Sequence, residues 1–229
     1  MAKLRYLGHA AFYIEGEGLK ALIDPFLSQN PWNIAKPEDF TDINYIFVTH
    51  GHGDHLGDAI EIAKETGATI VSIFETASYC GSKGANIHAM HIGGTYQFPF
   101  GRVKLTPAAH GSAIVEGDKI IYGGNPCGMI IEVDGKNLYH AGDTGLIADM
   151  ELLGKYENID VALLPIGGNF TMDPRDAAIA AEMIKPKIAI PMHYKTWPVI
   201  DKDPEEFKKL AEEKGIKVEI VKPGQEYKF

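Results

Sequence analysis

The sequence is poor in cysteine. Its 229 residues include only Cys80 and Cys127, which permits at most one disulfide and excludes the dense disulfide framework of small secreted domains. The two residues do not form a CxxC pair, so the chain has no dithiol redox motif. We expect both to be free thiols that pack as small buried hydrophobic side chains.

Long apolar runs are also absent. No stretch approaches the ~18 consecutive apolar residues that a membrane-spanning helix needs. The first residues, MAKLRYLGHAAFYIEG, have no apolar core typical of a signal peptide. These two absences lead us to expect a cytoplasmic protein with no membrane partner.

Basic clusters are equally scarce. The chain has 22 Lys and Arg against 31 Asp and Glu, a formal net charge of −9, and its densest basic pair is Lys208–Lys209. Proteins that bind DNA or RNA present a basic surface to the phosphate backbone. We therefore expect no nucleic-acid partner and a small-molecule substrate. The composition is compatible with a monomer and with a homo-oligomer.

What the sequence does contain is typical of a globular protein. Hydrophobic residues make up 45% and charged residues 23% of the chain, and a domain of this length buries about 70% of the surface of its unfolded chain. No Pro/Gly/Ser-rich linker divides the sequence and no short repeat is present. We therefore expect a single domain over residues 1–229.

The hydrophobic pattern predicts an α/β fold. Alternating and β-branched segments predict strands at residues 4–14, 20–23, 45–48, 69–73, 96–98, 103–106, 129–133, 137–139, 161–166, 188–191 and 218–221. Residues 134–135, Asp-Gly, predict a hairpin turn. Helices are predicted at residues 56–65 and 75–82, and after the Asp-Pro starts at 173–174 and 203–204. Residues 27–41 form the longest segment without a predicted element and are a candidate functional loop.

The segment YIFVTHGHGDHLGD concentrates metal-binding residue types at the end of an apolar strand. Two glycines let the backbone turn between the polar residues. His50 and His52, two residues apart, can face the same side, whereas the adjacent Asp54 and His55 diverge. Imidazole and carboxylate are ligands for borderline divalent cations. One short loop could therefore serve two neighbouring metal ions.

Three further residues occupy similar positions at predicted strand ends. His110 ends VKLTPAAH, Asp143 lies in YHAGDTG after a hairpin strand, and His193 ends IAIPMHY. Strand ends that face loops are where β-rich scaffolds place chemistry. Together with the first cluster, these residues predict a catalytic metal site.

The whole pattern resembles a known family. The string His50-x-His52-x-Asp54-His55, followed by His110, Asp143 and His193, is similar to the ligand signature of the metallo-β-lactamase superfamily. The resemblance extends over essentially the whole chain. The motifs LLPIGGNFTM and MHYKTWP are further similar to a small family of largely uncharacterised metal-dependent hydrolases and to the lactonase that acts on ascorbate 6-phosphate.

The resemblance implies a fold and a ligand set. The fold would be a four-layer αββα sandwich of two mixed sheets with helices outside. His50, His52 and His110 would bind one metal ion; Asp54, His55 and His193 would bind the second; Asp143 would bridge them. The ions would be divalent, with Zn as the default and Mn, Ni, Fe or Co as alternatives.

Three other residues are expected near the metal ions. The resemblance implies that Asp24 in LIDPF supports the histidine loop and that His9 in the first strand lies near the cavity. Lys195, next to His193, is a candidate for holding a substrate carboxylate or phosphate. Trp32, residues 125–128, residues 167–172 and residues 195–197 are candidates for the walls of the pocket.

The expected reaction is metal-assisted hydrolysis. A hydroxide held by two metal ions would attack an ester, lactone or phosphodiester-type bond, with Asp54 and His55 as the catalytic ligands. Five imidazoles and two carboxylates around two dications leave a local charge of about +2, which favours a small anionic substrate. Alternatives are an iron-dependent redox or thiol-oxidising relative, against which His52 argues, and a non-catalytic metal-stabilised binding protein.

Overall fold

The computed structural model describes residues 1–229 and contains two large mixed β-sheets. The first sheet has the strand order β15-β1-β2-β3-β4-β5-β6. Its strands are antiparallel from β15 to β3 and parallel from β3 to β6. They are β1 (Lys3–Gly8), β2 (Ala11–Gly16), β3 (Leu19–Ile23), β4 (Tyr45–Phe47), β5 (Thr69–Ile73), β6 (Asn86–Met90) and β15 (Glu226–Lys228).

The second sheet has the strand order β14-β13-β12-β11-β8-β7. The pairs β12–β13 and β13–β14 are parallel, and the others are antiparallel. The strands are β7 (Thr95–Phe98), β8 (Gly101–Pro107), β11 (Cys127–Val133), β12 (Lys136–His140), β13 (Val161–Pro165) and β14 (Ile188–Met192). A separate two-stranded sheet pairs β9 (Ala113–Glu116) with β10 (Lys119–Tyr122).

The main core lies between the two large sheets. Its 28 buried residues include Phe12 and Phe47 from the first sheet and Leu105 and Leu163 from the second. Every residue of β13 and β14 is buried, as expected for parallel strands covered on both faces.

Helices cover the outer face of each sheet. Helices α2 and α3 pack on the first sheet through a cluster that includes Ile62 and Cys80, and α4, α5 and α6 pack on the second through Met150, Ala181 and Phe207. The helices are α1 (Gly53–Leu56), α2 (Ala59–Thr66), α3 (Phe74–Ser82), α4 (Asp149–Tyr156), α5 (Pro174–Ile184) and α6 (Pro204–Glu212). The predicted αββα sandwich is confirmed.

The local signals for turns and caps are confirmed as well. Asp173 and Asp203 cap α5 and α6 by accepting backbone hydrogen bonds, with proline at the first helical position. The turn between β11 and β12 has Asp134 and Gly135 at positive φ, 52° and 70°, as a two-residue hairpin of the favoured type requires.

Several predicted elements differ from the structure. Residues 4–14 form a hairpin of β1 and β2 instead of one strand, so His9 lies in a turn. Residues 218–221 contribute only an isolated bridge between Val218 and Ala189. Helix α4 and the strands β6, β9, β10 and β15 were not predicted, because they are short and half exposed and have weak hydrophobic periodicity.

The predicted helix 56–65 corresponds mainly to α2; its first residue, Leu56, ends the short helix α1, and the break between the two helices lies at Gly57. This residue has a φ of 42°, and a Cβ built there would lie 2.4 Å from the carbonyl oxygen of Pro25. Only glycine permits this close approach without strain. The break therefore brings the histidine loop against the loop that follows β3.

None of the helices has both the length and the apolarity to cross a bilayer.

Candidate metal centre

The predicted ligands converge at one end of the sandwich, because each follows the carboxyl end of a strand. His50, His52, Asp54 and His55 follow β4; His110, Asp143 and His193 follow β8, β12 and β14. Strands β12 and β14 run parallel in one sheet and β4 belongs to the other, so the loops of both sheets meet across the core. Parallel strands bring such loops to the same edge.

One group contains only histidines. The ring nitrogens of His50, His52 and His110 lie close enough together to hold a metal ion, with all ligand atoms within 4.8 Å of one another. His50 Nε2 and His52 Nδ1 are 3.0 Å apart. His50 is fully buried and the other two are half-buried, so this group faces the outside of the molecule on one side.

The second group combines imidazoles with a carboxylate. His9, Asp54, His55 and His193 also have ligand atoms within 4.8 Å of one another. Asp54 Oδ2 lies 3.9 Å from both His55 Nε2 and His193 Nε2. In the structure His9 thus lies directly beside the three residues that the sequence grouped together.

Asp143 lies between the two groups. Its Oδ1 is 3.2 Å from His55 Nε2, and its Oδ2 is 3.1 Å from His193 Nε2 and 3.4 Å from His110 Nε2. One carboxylate thus contacts ligands of both groups, which is the position expected of a bridging residue.

Asp24 fixes the orientation and the tautomer of His55. Its carboxylate accepts hydrogen bonds from the Thr49 backbone N–H at 2.8 Å, the Thr49 hydroxyl at 2.7 Å and His55 Nδ1 at 2.7 Å. A carboxylate only accepts, so Nδ1 carries a proton, and Nε2 is the nitrogen that faces the site and can bind a metal ion.

Thr49 performs the same task for His50. Its hydroxyl donates to Asp24 and therefore accepts from His50 Nδ1 at 3.0 Å. This leaves the lone pair of His50 Nε2 free to face the site. Thr49 was not predicted as a site residue, although a hydroxyl residue directly before the histidine motif is a usable signal.

His9 connects a third loop to the site. Its Nε2 is 3.0 Å from Asp54 Oδ2 and its Nδ1 is 2.8 Å from Thr196 Oγ1. Because Asp54 only accepts, Nε2 is the donor, and the Thr196 hydroxyl donates to Nδ1. The His9 and His193 rings are also close, with centroids 3.9 Å apart.

Two more residues support the site without having been predicted to do so. Ser112 accepts a hydrogen bond from the Gly51 backbone N–H at 3.0 Å. His140 donates from Nε2 to the Ala10 carbonyl oxygen at 2.9 Å and accepts from the Gly142 N–H at 3.1 Å. His140 therefore holds the turn after His9 against the loop that contains Asp143.

Three residues at or beside the site have strained backbone conformations. His9, Asp24 and His193 have φ values of 57°, 44° and 56°, in the left-handed region that non-glycine residues rarely adopt. Such conformations cost on the order of 1–3 kcal/mol each and persist only where the surrounding structure enforces them.

Buried polar atoms without a hydrogen-bond partner converge at the centre. They include His55 Nε2, His193 Nε2 and Asp143 Oδ1; although the first and last are 3.2 Å apart, they are not aligned as a hydrogen bond. Such atoms are costly unless they coordinate a cation. The donor set of imidazole and carboxylate, with no thiolate among it, fits borderline divalent metal ions.

Comparison with known proteins shows the family of the chain. The model of the β-lactamase superfamily domain matches residues 20–194, a segment that contains all seven predicted ligands. The chain belongs to the β-lactamase superfamily. The relatives described next are named as hydrolases, and they confirm the predicted enzyme class, a metal-dependent hydrolase, at this level.

Its relatives match over nearly their whole lengths. A protein named UPF0173 metal-dependent hydrolase from Carboxydothermus hydrogenoformans is 52% identical over 97% of this chain and 98% of its own. One of the same name from Alkaliphilus metalliredigens is 54% identical over 99% and 100%. The solved structure of Igni18, a metallo hydrolase from Ignicoccus hospitalis, is 40% identical with a TM-score of 0.89, covering 100% and 99%.

The titration behaviour of this superfamily member reflects burial and close charges. Burial lowers the pKa of His50, aided by the nearby His55. Burial lowers the pKa of His9 to about 4, because the charged form is poorly solvated and His193 is adjacent, although the hydrogen bond to Asp54 opposes this. Burial and His55 lower the pKa of His52, so the first group is neutral at pH 7 and ready to bind a cation.

At two buried groups, nearby charges outweigh the effect of burial on the pKa. Burial alone would lower the pKa of His55, but the carboxylates of Asp143 and Asp24 outweigh it and raise that pKa well above its ordinary value. Burial alone would raise the pKa of Asp143, but His193 and His55 hold it well below its ordinary value. In the metal-free protein the proton on His55 therefore balances negative charge on Asp143 and Asp24. A bound cation would neutralise the same negative charge.

The centre opens into a cavity of about 570 Å³. Of the predicted walls, Phe170 and Trp197 line this cavity, whereas Trp32 and residues 125–128 do not. Lys195 is also outside it: its side chain is exposed and its Nζ lies 3.7 Å from Asp203 Oδ1. No lysine or arginine lines the cavity.

Proposed function

We propose that this hydrolase binds two divalent metal ions and cleaves an ester or lactone bond in a small molecule. His50, His52 and His110 would hold one ion, Asp54, His55 and His193 the other, with Asp143 between them. The supporting observation is that the Asp143 carboxylate lies within 3.4 Å of ring nitrogens from both groups: His110 of the first, and His55 and His193 of the second.

Bound divalent ions would supply Lewis-acid activation of water and of the attacked carbonyl. Zn is the default, with Mn, Ni, Fe and Co compatible with the same donor set.

Asp54 has the best position for a role beyond ligation. Its side chain is 26% exposed to the cavity, whereas His55 and His193 are almost completely buried. The hydrogen bond from His9 occupies its Oδ2 and leaves Oδ1 to orient a water molecule or accept its proton. His55 has no exposed surface, so its part in catalysis is to hold a metal ion in place.

An ester or lactone suits the cavity better than a phosphodiester. A phosphodiester retains its negative charge throughout the reaction, and hydrolases commonly bind such groups with lysine or arginine. The cavity has neither. Attraction for an anion would come from the metal ions alone.

Metal stoichiometry and turnover test the proposal together. We expect plasma mass spectrometry of untreated protein to give about two divalent ions per chain, and a panel of esters, lactones, thioesters and phosphodiesters to show metal-dependent hydrolysis. His52→Ala should abolish hydrolysis while retaining the circular dichroism spectrum. His91→Ala, at an exposed histidine outside the site, is the matched control.

Three results would contradict the proposal: a protein that binds no metal, tight metal binding with no turnover on any substrate, or full activity in His52→Ala. The second would favour a metal-stabilised binding protein. Iron with a visible absorption band would favour the redox alternative.

A further inference from the structure

The turn between β1 and β2 contacts both sheets at the metal centre. Gly8 and His9, at its centre, have φ values of 97° and 57°. The His9 carbonyl oxygen accepts the backbone N–H of His193 at 2.7 Å, and His193 follows β14 of the second sheet. The Tyr6 hydroxyl donates to the same oxygen at 2.9 Å. The backbone of His9 is thus fixed to one of the predicted ligands.

The side chain of His9 is fixed to another predicted ligand. Its Nε2 donates to Asp54 Oδ2 at 3.0 Å, and its Nδ1 lies 2.8 Å from the Thr196 hydroxyl oxygen. Asp54 Oδ2 is also the atom that lies 3.9 Å from both His55 Nε2 and His193 Nε2. A carboxylate oxygen has two lone pairs, so Oδ2 can accept from His9 and still bind a cation. The hydrogen bond therefore orients Oδ2 towards the second group.

The ring of His193 lacks a polar partner of its own. Its Nδ1 is buried without a hydrogen bond, whereas the Nδ1 of His55 is held by Asp24. The His9 ring lies against the His193 ring instead, with centroids 3.9 Å apart. Packing against His9 therefore orients a ligand that no side-chain hydrogen bond holds.

Both ring nitrogens of His9 are already engaged. Nε2 carries the proton that Asp54 accepts, and Nδ1 faces the Thr196 hydroxyl. The ring has no exposed surface, and the rings of Phe26 and Trp197 lie against it with centroids 5.7 and 4.8 Å away. A hydrogen bond shielded from water in this way is electrostatically stronger than one at the surface. His9 is therefore placed to hold ligands rather than to bind a metal ion itself.

We propose that His9 is a positioning residue that holds Asp54 and His193 in the second group. It sets the affinity for the metal ion of that group and leaves the affinity of the first group, which it does not contact by a hydrogen bond, unchanged. Thr196 acts through His9 by fixing its ring. This inference rests on the proposed function, in which each group holds one ion.

Two substitutions of His9 separate positioning from a structural role. His9→Asn tolerates the positive φ, but its amide nitrogen lies about as far from Cβ as Nδ1 does and is too short to reach Asp54. His9→Gln places its amide nitrogen near the position of Nε2 and can donate to Asp54. The two variants therefore differ mainly in the hydrogen bond to the ligand.

Titration with Zn in competition with a chromophoric chelator gives the affinity for each ion. His52→Ala, which removes a ligand of the first group, identifies the affinity that belongs to the second. We expect His9→Asn to weaken binding of the second ion about 10- to 100-fold and to leave the first unchanged. His9→Gln should bind the second ion roughly tenfold more tightly than His9→Asn, because it restores a hydrogen bond to a charged group.

Thr196 tests whether its effect passes through His9. Thr196→Val keeps the shape of the side chain without the hydroxyl and should weaken the second ion about twofold to tenfold. In the His9→Asn background the same substitution should have no further effect, because residues that act through one another are not additive. Additive losses would contradict the role given to Thr196. His91→Asn, the same change at an exposed histidine outside the site, should leave both affinities unchanged.

The outcomes separate this proposal from the proposed function. Two bound ions and hydrolysis in the wild type, with an unchanged second affinity in His9→Asn, would overturn the positioning role and leave the proposed function intact. The expected affinities without turnover on any substrate would do the reverse. Equal weakening in His9→Asn and His9→Gln, or a fall in both affinities, would show that His9 only supports the fold. A wild-type protein that binds no ion would contradict both proposals.

Discussion

The two ends of the sandwich use carboxylates in opposite ways. At the end described above, carboxylates and imidazoles are buried and several of their polar atoms lack partners. At the other end, a cavity of about 530 Å³ is lined by Met1, Lys3, Glu15, Gly16, Glu17 and Asp134. There the charges pair directly: the amino group of Met1 is 2.9 Å from Asp134, and Lys3 is 3.1 Å from Glu15.

The comparison shows two settings of a carboxylate: at the site it is buried beside ligand atoms without partners, and at the opposite end it pairs with a cation at the surface. Exposed ion pairs are solvated and mutually satisfied, so they have little affinity for an added ion. Buried ligand atoms that converge without hydrogen-bond partners are stabilised when they bind a cation. The four predictions below test this difference, from the largest expected effect to the smallest.

The largest effect is expected at Asp143. Asp143→Asn keeps the size of the side chain but removes the negative charge between the two metal groups. We expect hydrolysis to fall more than about 100-fold, beyond the loss typical of residues that only orient ligands. Metal content and kcat/KM measured on the same sample would check this. Two bound ions with wild-type activity would show that the bridging role is wrong.

Acid should destabilise the metal-free protein. The pKa of His9 falls from an ordinary 6.5 to about 4 on folding, mainly through burial, and burial also lowers the pKa values of His50, His52 and His110. The unfolded chain therefore binds protons more readily, so the stabilisation is complete above pH 6.5 and is lost as the pH falls toward 4. His9 alone corresponds to a loss on the order of 3 kcal/mol.

His55 has the opposite effect, because its pKa is raised in the folded state. Its protonation stabilises the folded protein fully below pH 6.5, and this stabilisation is lost as the pH rises through the raised pKa. Burial lowers the pKa of His140 as well. With five lowered histidines against one, the net free energy of unfolding should fall on acidification. Urea titrations of chelator-treated protein at several pH values measure it. Constant stability from pH 7 to pH 4 would contradict the described burial of these rings.

Asp24→Asn should weaken metal binding by about 10- to 100-fold. The amide oxygen would still accept from the Thr49 N–H, which places the NH₂ group opposite His55 Nδ1. To accept from it, the ring must move its proton to Nε2, where it blocks coordination. Competition with a chromophoric chelator measures the affinity. An unchanged affinity would mean that the tautomer of His55 is fixed by another group.

The smallest effect is expected at the opposite end. Asp134→Asn removes the ion pair with the Met1 amino group but retains an acceptor for the Glu17 N–H and tolerates the positive φ of the turn. We expect the free energy of unfolding to change by less than about 1 kcal/mol and metal content to stay the same. A larger loss would show that this end is not an ordinary solvated surface.

Local signals were sufficient for much of the fold. The Asp-Pro helix starts, the Asp134-Gly135 turn and the apolar strands β13 and β14 depend on nearby residues, and the structure has them where they were predicted. The first hairpin was not recognised, because residues 4–14 are largely apolar throughout and a single glycine, Gly8 at a φ of 97°, is the only sign of the turn. Helix α4 and the β9–β10 hairpin are partly exposed, so polar residues interrupt their hydrophobic pattern and the elements could not be predicted from it.

The sequence by itself determined which residue types are available as ligands and in what order, because motif spacing is a property of the chain. Only the tertiary structure decided which atoms meet: His9 beside Asp54, Thr49 beside Asp24 and His50, and Lys195 turned toward Asp203. Such convergence depends on how two sheets pack, and that is fixed by many long-range contacts together rather than by any local sequence pattern.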